Sequence, residues 1–291
     1  MPWQLYAFVT LLGFTLCSLG YSRISKEGVK PPVLLCIILF AGSLYFLAGI
    51  ITKDLPAPPI EALPWILSMA TICWIGNVLQ TISNHRSPNP GFTAAIIGCQ
   101  SPFVALVAIP MFGDPLNWLK FAGMILCLGG LSLLSIKHSE SKAGKPGWVL
   151  LGIIAMVGIG WNTLTYRKLG LMGVAPDWTN FGMMGISTVF NLIHAKIAKN
   201  PFPFGKGWNL KTIWFWFALF IIGSTGGSAC QAIAFRDAPN PGYPISIISC
   251  DGLLTALIAW KFFKDELTPR QLCGALLCLA GLVVVAWGGV R

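Results

Sequence analysis

Charge is what this sequence has least of: Asp, Glu, Lys and Arg together make up 10% of its 291 residues, against 55% hydrophobic residues and a mean hydropathy of +0.72. A water-soluble domain with so little charge would expose large apolar patches, which excludes a soluble enzyme or soluble binding module as the body of the chain. Cysteine pairs at ligand spacing are also missing. The nine cysteines sit inside apolar runs with no CxxC and no His at ligand spacing, which argues against a disulfide framework or a zinc site and leaves them as small core residues. No HExxH, G-x-S-x-G or P-loop occurs, nor a carboxylate cluster able to hold a catalytic metal. An enzyme is therefore disfavoured, and no cofactor or metal is expected.

What is present is apolar length. A bilayer core takes roughly 20 apolar residues per helix, and ten such runs stand at about 3–21, 33–51, 63–83, 91–112, 116–136, 148–166, 178–197, 212–234, 242–263 and 271–287. The first has no basic n-region and no small-residue cleavage site after it, so it reads as a retained helix and not a signal peptide. Connections are short, leaving no room for a soluble catalytic domain. The net charge of +10 comes from basic residues at run ends, without the basic stripe that nucleic acid would need. Assigned to their nearest connections, 14 of the 20 Lys and Arg fall on one side and six on the other. The positive-inside rule then puts both termini outside the cytoplasm.

The two halves repeat. At an offset of 151 residues, Ser87-Pro88-Asn89-Pro90-Gly91-Phe92 aligns with Ala238-Pro239-Asn240-Pro241-Gly242-Tyr243, and the match continues without a gap. It pairs Gly76 with Gly227, Gln80 with Gln231, Cys99 with Cys250, Asp114 with Asp265, and Gly123, Cys127 and Gly130 with Gly274, Cys278 and Gly281. Roughly one position in three is identical from residue 88 to 136, well above chance. A second register, at 145, joins Gly13 and Tyr21 to Gly158 and Tyr166. The organisation predicted is a first five-helix repeat at 1–136, a polar linker at 137–147 and a second repeat at 148–291. An odd number of helices per repeat forces opposite orientations, so the fold class expected is an all-α membrane protein of ten transmembrane helices in two inverted five-helix repeats.

The Asn-Pro-Gly helix entry, the loops Phe112-Gly113-Asp114-Pro115-Leu116 and Phe263-Lys264-Asp265-Glu266-Leu267-Thr268, and the Leu-rich helices with spaced glycines resemble EamA-type members of the drug/metabolite transporter superfamily. Trp161-Asn162 is similar to the family's W-G-x-N element, while the matching first-run position, Gly20-Tyr21, departs from it. The resemblance covers both halves and implies carriage of metabolites, amino acids, nucleotide-linked sugars or drugs. It also implies cytoplasmic termini, opposite to the charge count, and both orientations stay open.

Asp251 is the sharpest candidate for chemistry. It lies about ten residues from either end of its run, roughly 15 Å from each interface, where a carboxylate costs about 3 kcal/mol on insertion scales. Such a residue marks a pathway, or is a hydrogen-bonded structural Asp at a helix contact beside Gly252. Its repeat partner Gln100 carries no charge, so the pair could bind an ammonium group or carry a coupling proton. Gln80 and Gln231, at equivalent positions, either touch substrate or join helices. Asn77, Asn162 and Tyr166 add hydrogen-bonding groups. Trp74 and Trp161 offer aromatic faces for a cation, or pack against lipid and core. The spaced Gly-Cys-Gly positions of the fifth and tenth runs read as a packing seam.

The reading is a secondary active transporter that moves a small polar metabolite, such as an amino acid, amine or related zwitterion or cation, by alternating access. An integral membrane enzyme or a channel-like protein is the alternative. The partners expected are a small-molecule substrate and membrane lipid, with no nucleic acid, a monomeric state, and a multi-pass location in the cell membrane.

Overall fold

The structure, a computed structural model, describes residues 2–26, 31–87, 90–135, 146–199, 210–263 and 268–287. Pro88, Asn89, nearly all of the 137–147 linker including Lys142, and the Lys264 to Leu267 loop lie outside them. The described residues are helical, with no strand among them. In chain order the helices are α1 (Trp3–Lys26), α2 (Pro31–Thr52), α3 (Leu63–Arg86), α4 (Pro90–Gly98), α5 (Gln100–Phe112), α6 (Trp118–Ser135), α7 (Trp148–Leu171), α8 (Pro176–Ile197), α9 (Leu210–Asp237), α10 (Gly242–Ile248), α11 (Asp251–Phe263) and α12 (Pro269–Trp287). Each apolar run falls on helix. Seven described segments are long and apolar enough to cross a membrane, and α6 holds a shorter apolar stretch. Leu12, Phe40, Leu67, Leu150, Ile222 and Leu276 are exposed on the outer faces, the pattern of a multi-pass membrane protein whose solvent is lipid.

Two runs that read as single helices are broken. α4 passes into α5 at Cys99, and α10 into α11 at Ser249 and Cys250. At both breaks the backbone tightens from an i−4 to an i−3 bond: the Cys99 N–H donates to the Ile96 carbonyl at 3.1 Å, and the Cys250 N–H to the Ile247 carbonyl at 3.1 Å. These are the same positions in the 151-residue register. Pro102, in the first turn of α5, has no N–H to offer the Gly98 carbonyl, which favours the first break. At the second, the Asp251 carboxylate captures the Gly252 N–H at 2.8 Å and opens α11.

Packing follows small residues. α6 and α12 run antiparallel with their Gly-Cys-Gly faces in register: a Cβ on Gly130 would stand 2.5 Å from the Gly274 carbonyl, and one on Gly281 2.6 Å from the Gly123 carbonyl. Only hydrogen fits where backbones approach so closely. α1 meets α9 through Gly13, Gly223 and Gly227, and α3 meets α7 through Gly76 and Gly158. α2 packs along α8.

The broken helices cross where the second Asn-Pro-Gly segment enters. The Asn240 side chain, fully buried, donates to the Ala105 carbonyl at 3.0 Å and accepts from the Gly242 N–H at 2.9 Å, while the Ser101 hydroxyl donates to the Gly242 carbonyl at 3.2 Å. The Tyr243 hydroxyl accepts from the Asn117 N–H at 2.6 Å and donates to the Pro115 carbonyl at 3.3 Å. The start of α10 therefore packs on the first half of α5, at Ser101 and Ala105, while the Tyr243 hydroxyl reaches the segment that follows α5.

Candidate functional site

A cavity of about 200 Å³ lies against both breaks. Its polar lining is Gln100, Asn162, Thr163, Gln231, Ser249 and Asp251, and Phe14, Ile159, Ile245 and Ile248 supply the apolar walls. Gln100 and Asp251, repeat partners, are the first residues of α5 and α11, so the breaks that free backbone N–H groups also deliver both side chains to the cavity.

The half-buried Asp251 carboxylate accepts from the Ser18 hydroxyl of α1 at 3.1 Å through Oδ2 and from the Gly252 N–H through Oδ1. It also stands at the N-terminus of α11. A carboxylate has about four acceptor positions, so these two bonds leave capacity for a ligand. Gln100 is 9% exposed and its Oε1 has no hydrogen-bond partner. Asn162 donates to the Cys73 sulfur at 3.1 Å while its Oδ1 has none. The cavity is thus rich in acceptors and suits a ligand that brings donors.

Asp251, Gln100, Gln231 and Asn162 come together; the other five candidates do not join them. Gln80 is half-buried on α3 and does not line the cavity. Asn77 is exposed and donates to the Cys73 carbonyl at 3.0 Å. Tyr166 is buried against Phe235 and donates to Asn180 Oδ1 at 2.6 Å. Trp161 stacks on Trp65 and donates to the Ser68 hydroxyl at 3.2 Å. Trp74 lines a separate apolar groove of about 170 Å³ with Val78, Phe190 and His194.

Sequence reasoning overlooked buried charges where the ends of α5, α7 and α9 meet. Arg167, in the last turns of α7, makes a 2.7 Å ion pair with Asp114 after α5 and donates to the Arg236 and Phe235 carbonyls at the end of α9. Both partners are buried, at 9% and 6% exposure. Lys120 of α6, also buried, donates to the Val285 carbonyl at 2.9 Å and lies over the Trp3 and Tyr243 rings. Asp114 was visible as part of a loop motif; Arg167 and Lys120 had been counted as connection charges.

No curated protein matches the sequence. A solved structure described only as "crystal structure of protein" is similar over 96% of this chain and 94% of its own, with a TM-score of 0.76 at 15% identity, a likeness of fold alone. Residues 146–287 match the EamA-like transporter family. The matched segment is the second half of the chain, α7 to α12, and it agrees with the family resemblance read from the sequence.

Proposed function

We propose that this protein is a secondary active transporter for a small amine, amino acid or related zwitterion, working by alternating access between two inverted five-helix repeats, 1–136 and 148–291. The observation that carries the reading is the shared cavity of Asp251 and Gln100, delivered by helix breaks at equivalent positions of the 151-residue register. Broken helices of this kind bring backbone and side-chain polar groups to a site within the bilayer. α6 and α12, related by the repeat, run antiparallel, as inversion requires.

At about 30 Å³ per water, the cavity holds the volume of roughly seven waters. That suits a compact metabolite and is too small for a drug-sized molecule. Asp251 meets the ammonium group, while Gln100, Gln231 and Asn162 orient the remainder. In this reading the Arg167–Asp114 pair, with the Tyr243 bridge to Asn117 and Pro115, is the plug that closes one end, and opening there requires the Arg167 network to part while the other end seals. The cell membrane is the location this activity implies.

The test is uptake by purified protein in liposomes. A carrier saturates and shows counterflow; ohmic current would make it a channel, and product formation without movement an enzyme. Asp251→Asn keeps the acceptor for the Gly252 N–H and, with the Ser18 hydroxyl turned to accept, the contact to Ser18, but removes the charge. It should leave a folded protein that has lost cation binding or proton coupling. Unchanged transport and pH dependence in that variant would reduce Asp251 to a helix cap.

A further inference from the structure

Cys127 of α6, Cys250 at the second break and Cys278 of α12 were read from sequence as separate core residues, yet their sulfur atoms all lie within 4.8 Å of one another. Cys250 Sγ is 3.3 Å from Cys278 Sγ, and Cys127 Sγ is 3.6 Å from the Cys278 carbonyl oxygen. All three are buried, at 2%, 0% and 0% exposure. Beside them the Ser246 hydroxyl, one turn before Cys250, is buried and has no hydrogen-bond partner. Three thiols from three helical segments form an all-sulfur triangle with no His or carboxylate in the group among the described residues.

We propose that this triangle binds one soft d10 metal ion, with Cu(I) as the ion that fits it best. Sulfur-only donors select soft ions and reject Mg²⁺, Ca²⁺ and Mn²⁺, which require oxygen. Zinc in a closed site takes four ligands, one more than the triangle offers. An ion centred among three sulfurs with bonds of ~2.3 Å sets them ~4.0 Å apart, between the 3.3 Å contact and the 4.8 Å limit of the cluster. Each thiol that ligates as thiolate releases one proton to water, so binding tightens as pH rises. Cys250 itself is buried, and its chain neighbours Ser249 and Asp251 both line the cavity.

Occupancy would tie the second break to the α6–α12 seam. If the cavity is the transport site proposed above, the bound ion stops the break from moving and inhibits transport. The binding itself does not depend on that reading.

The experiment titrates reduced, detergent-purified protein with Cu(I) buffered by a chromogenic Cu(I) chelator. One ion per chain should bind, and X-ray absorption should show three sulfur neighbours at ~2.3 Å. Cys127→Ser and Cys278→Ser should each weaken binding at least tenfold while Cys273→Ser, at an exposed position, does not. Should either variant fail to fold, the sulfur coordination of the native protein decides the matter alone. Binding with nitrogen or oxygen neighbours, binding indifferent to Cys127 and Cys278, or loss of two thiols to a Cys250–Cys278 disulfide without bound copper would each overturn the proposal. Copper binding with unaltered liposome uptake would keep the site and refute only its control of transport.

Discussion

Asp114→Asn separates a gate from a strut. In the native chain the Arg167 guanidinium holds Asp114 at 2.7 Å together with the Phe235 and Arg236 carbonyls, where the ends of α5, α7 and α9 meet. Stranding one charge of a buried pair costs about 3–5 kcal/mol, but this variant strands little: Asn still accepts from Arg167, and the two carbonyls stay in place. What is lost is the difference between a charged and a neutral hydrogen bond, about 1.5 kcal/mol. If the network closes only this conformation, that loss shifts the balance of open and closed forms about tenfold. Spin labels at Trp118→Cys and Leu171→Cys, exposed positions on the two sides of the pair, report the separation directly. A longer distance should appear, its population raised about tenfold by Asp114→Asn. Arg167→Met leaves the Asp114 carboxylate and two carbonyls without a partner and should shift the balance further, by about 3 kcal/mol or more. An unchanged distance distribution, with only a lowered unfolding temperature in both variants, would make the pair a structural strut and refute the gate.

Helix positions were legible because lipid imposes long apolar runs, and the α6–α12 seam because the 151-residue register pairs Gly123, Cys127 and Gly130 with Gly274, Cys278 and Gly281. The breaks were not legible. Ile96 to Cys99 and Ile247 to Cys250 lie inside long apolar runs, and although Pro102 favours the first break, the change from i−4 to i−3 bonding leaves no mark on hydropathy. Asp251 stood out because a carboxylate is costly in lipid, and Gln100 because it occupies the same place in the first half. The same logic applied to Gln80 and Gln231 brought only Gln231 to the cavity, since equivalent positions in two repeats need not share an environment. Trp161 and Tyr166 found partners on neighbouring helices, Ser68 and Asn180, that no local pattern announces. The thiol triangle was hidden for a related reason: spacing rules detect ligands close in sequence, and these three come from distant helices.

The remaining predictions test the packing, the lining and the sidedness. Gly130→Ala drives a methyl into the α12 backbone and should cost about 3 kcal/mol in thermal unfolding, whereas Gly129→Ala meets nothing within 4 Å and should gain up to about 1 kcal/mol; equal effects would refute the seam. Tyr243→Phe removes the bridge to Asn117 and Pro115 and should cost about 1–2 kcal/mol; an unchanged unfolding midpoint would deny the plug its role. Gln100→Ala should weaken substrate binding about tenfold or more, and Gln80→Ala should leave it within about twofold; the reverse order in liposome uptake would move the site toward α3. Sidedness comes from what the minority charges do. Lys53 pairs with Asp177, Arg167 with Asp114 and Arg236 with Asp237; Lys120 binds the Val285 carbonyl, and Lys168 lies over the Trp65 ring. Five of the six basic residues on that side are therefore held by protein contacts, which supply a reason for their presence independent of topology. The excess of Lys and Arg on the opposite side is then the stronger guide, and it puts Lys142 in the cytoplasm and the termini outside. A Cys introduced at Lys142 should resist an impermeant thiol reagent in intact cells and react after permeabilisation. Ready labelling in intact cells would reverse the orientation and leave the bound minority charges as the cytoplasmic set.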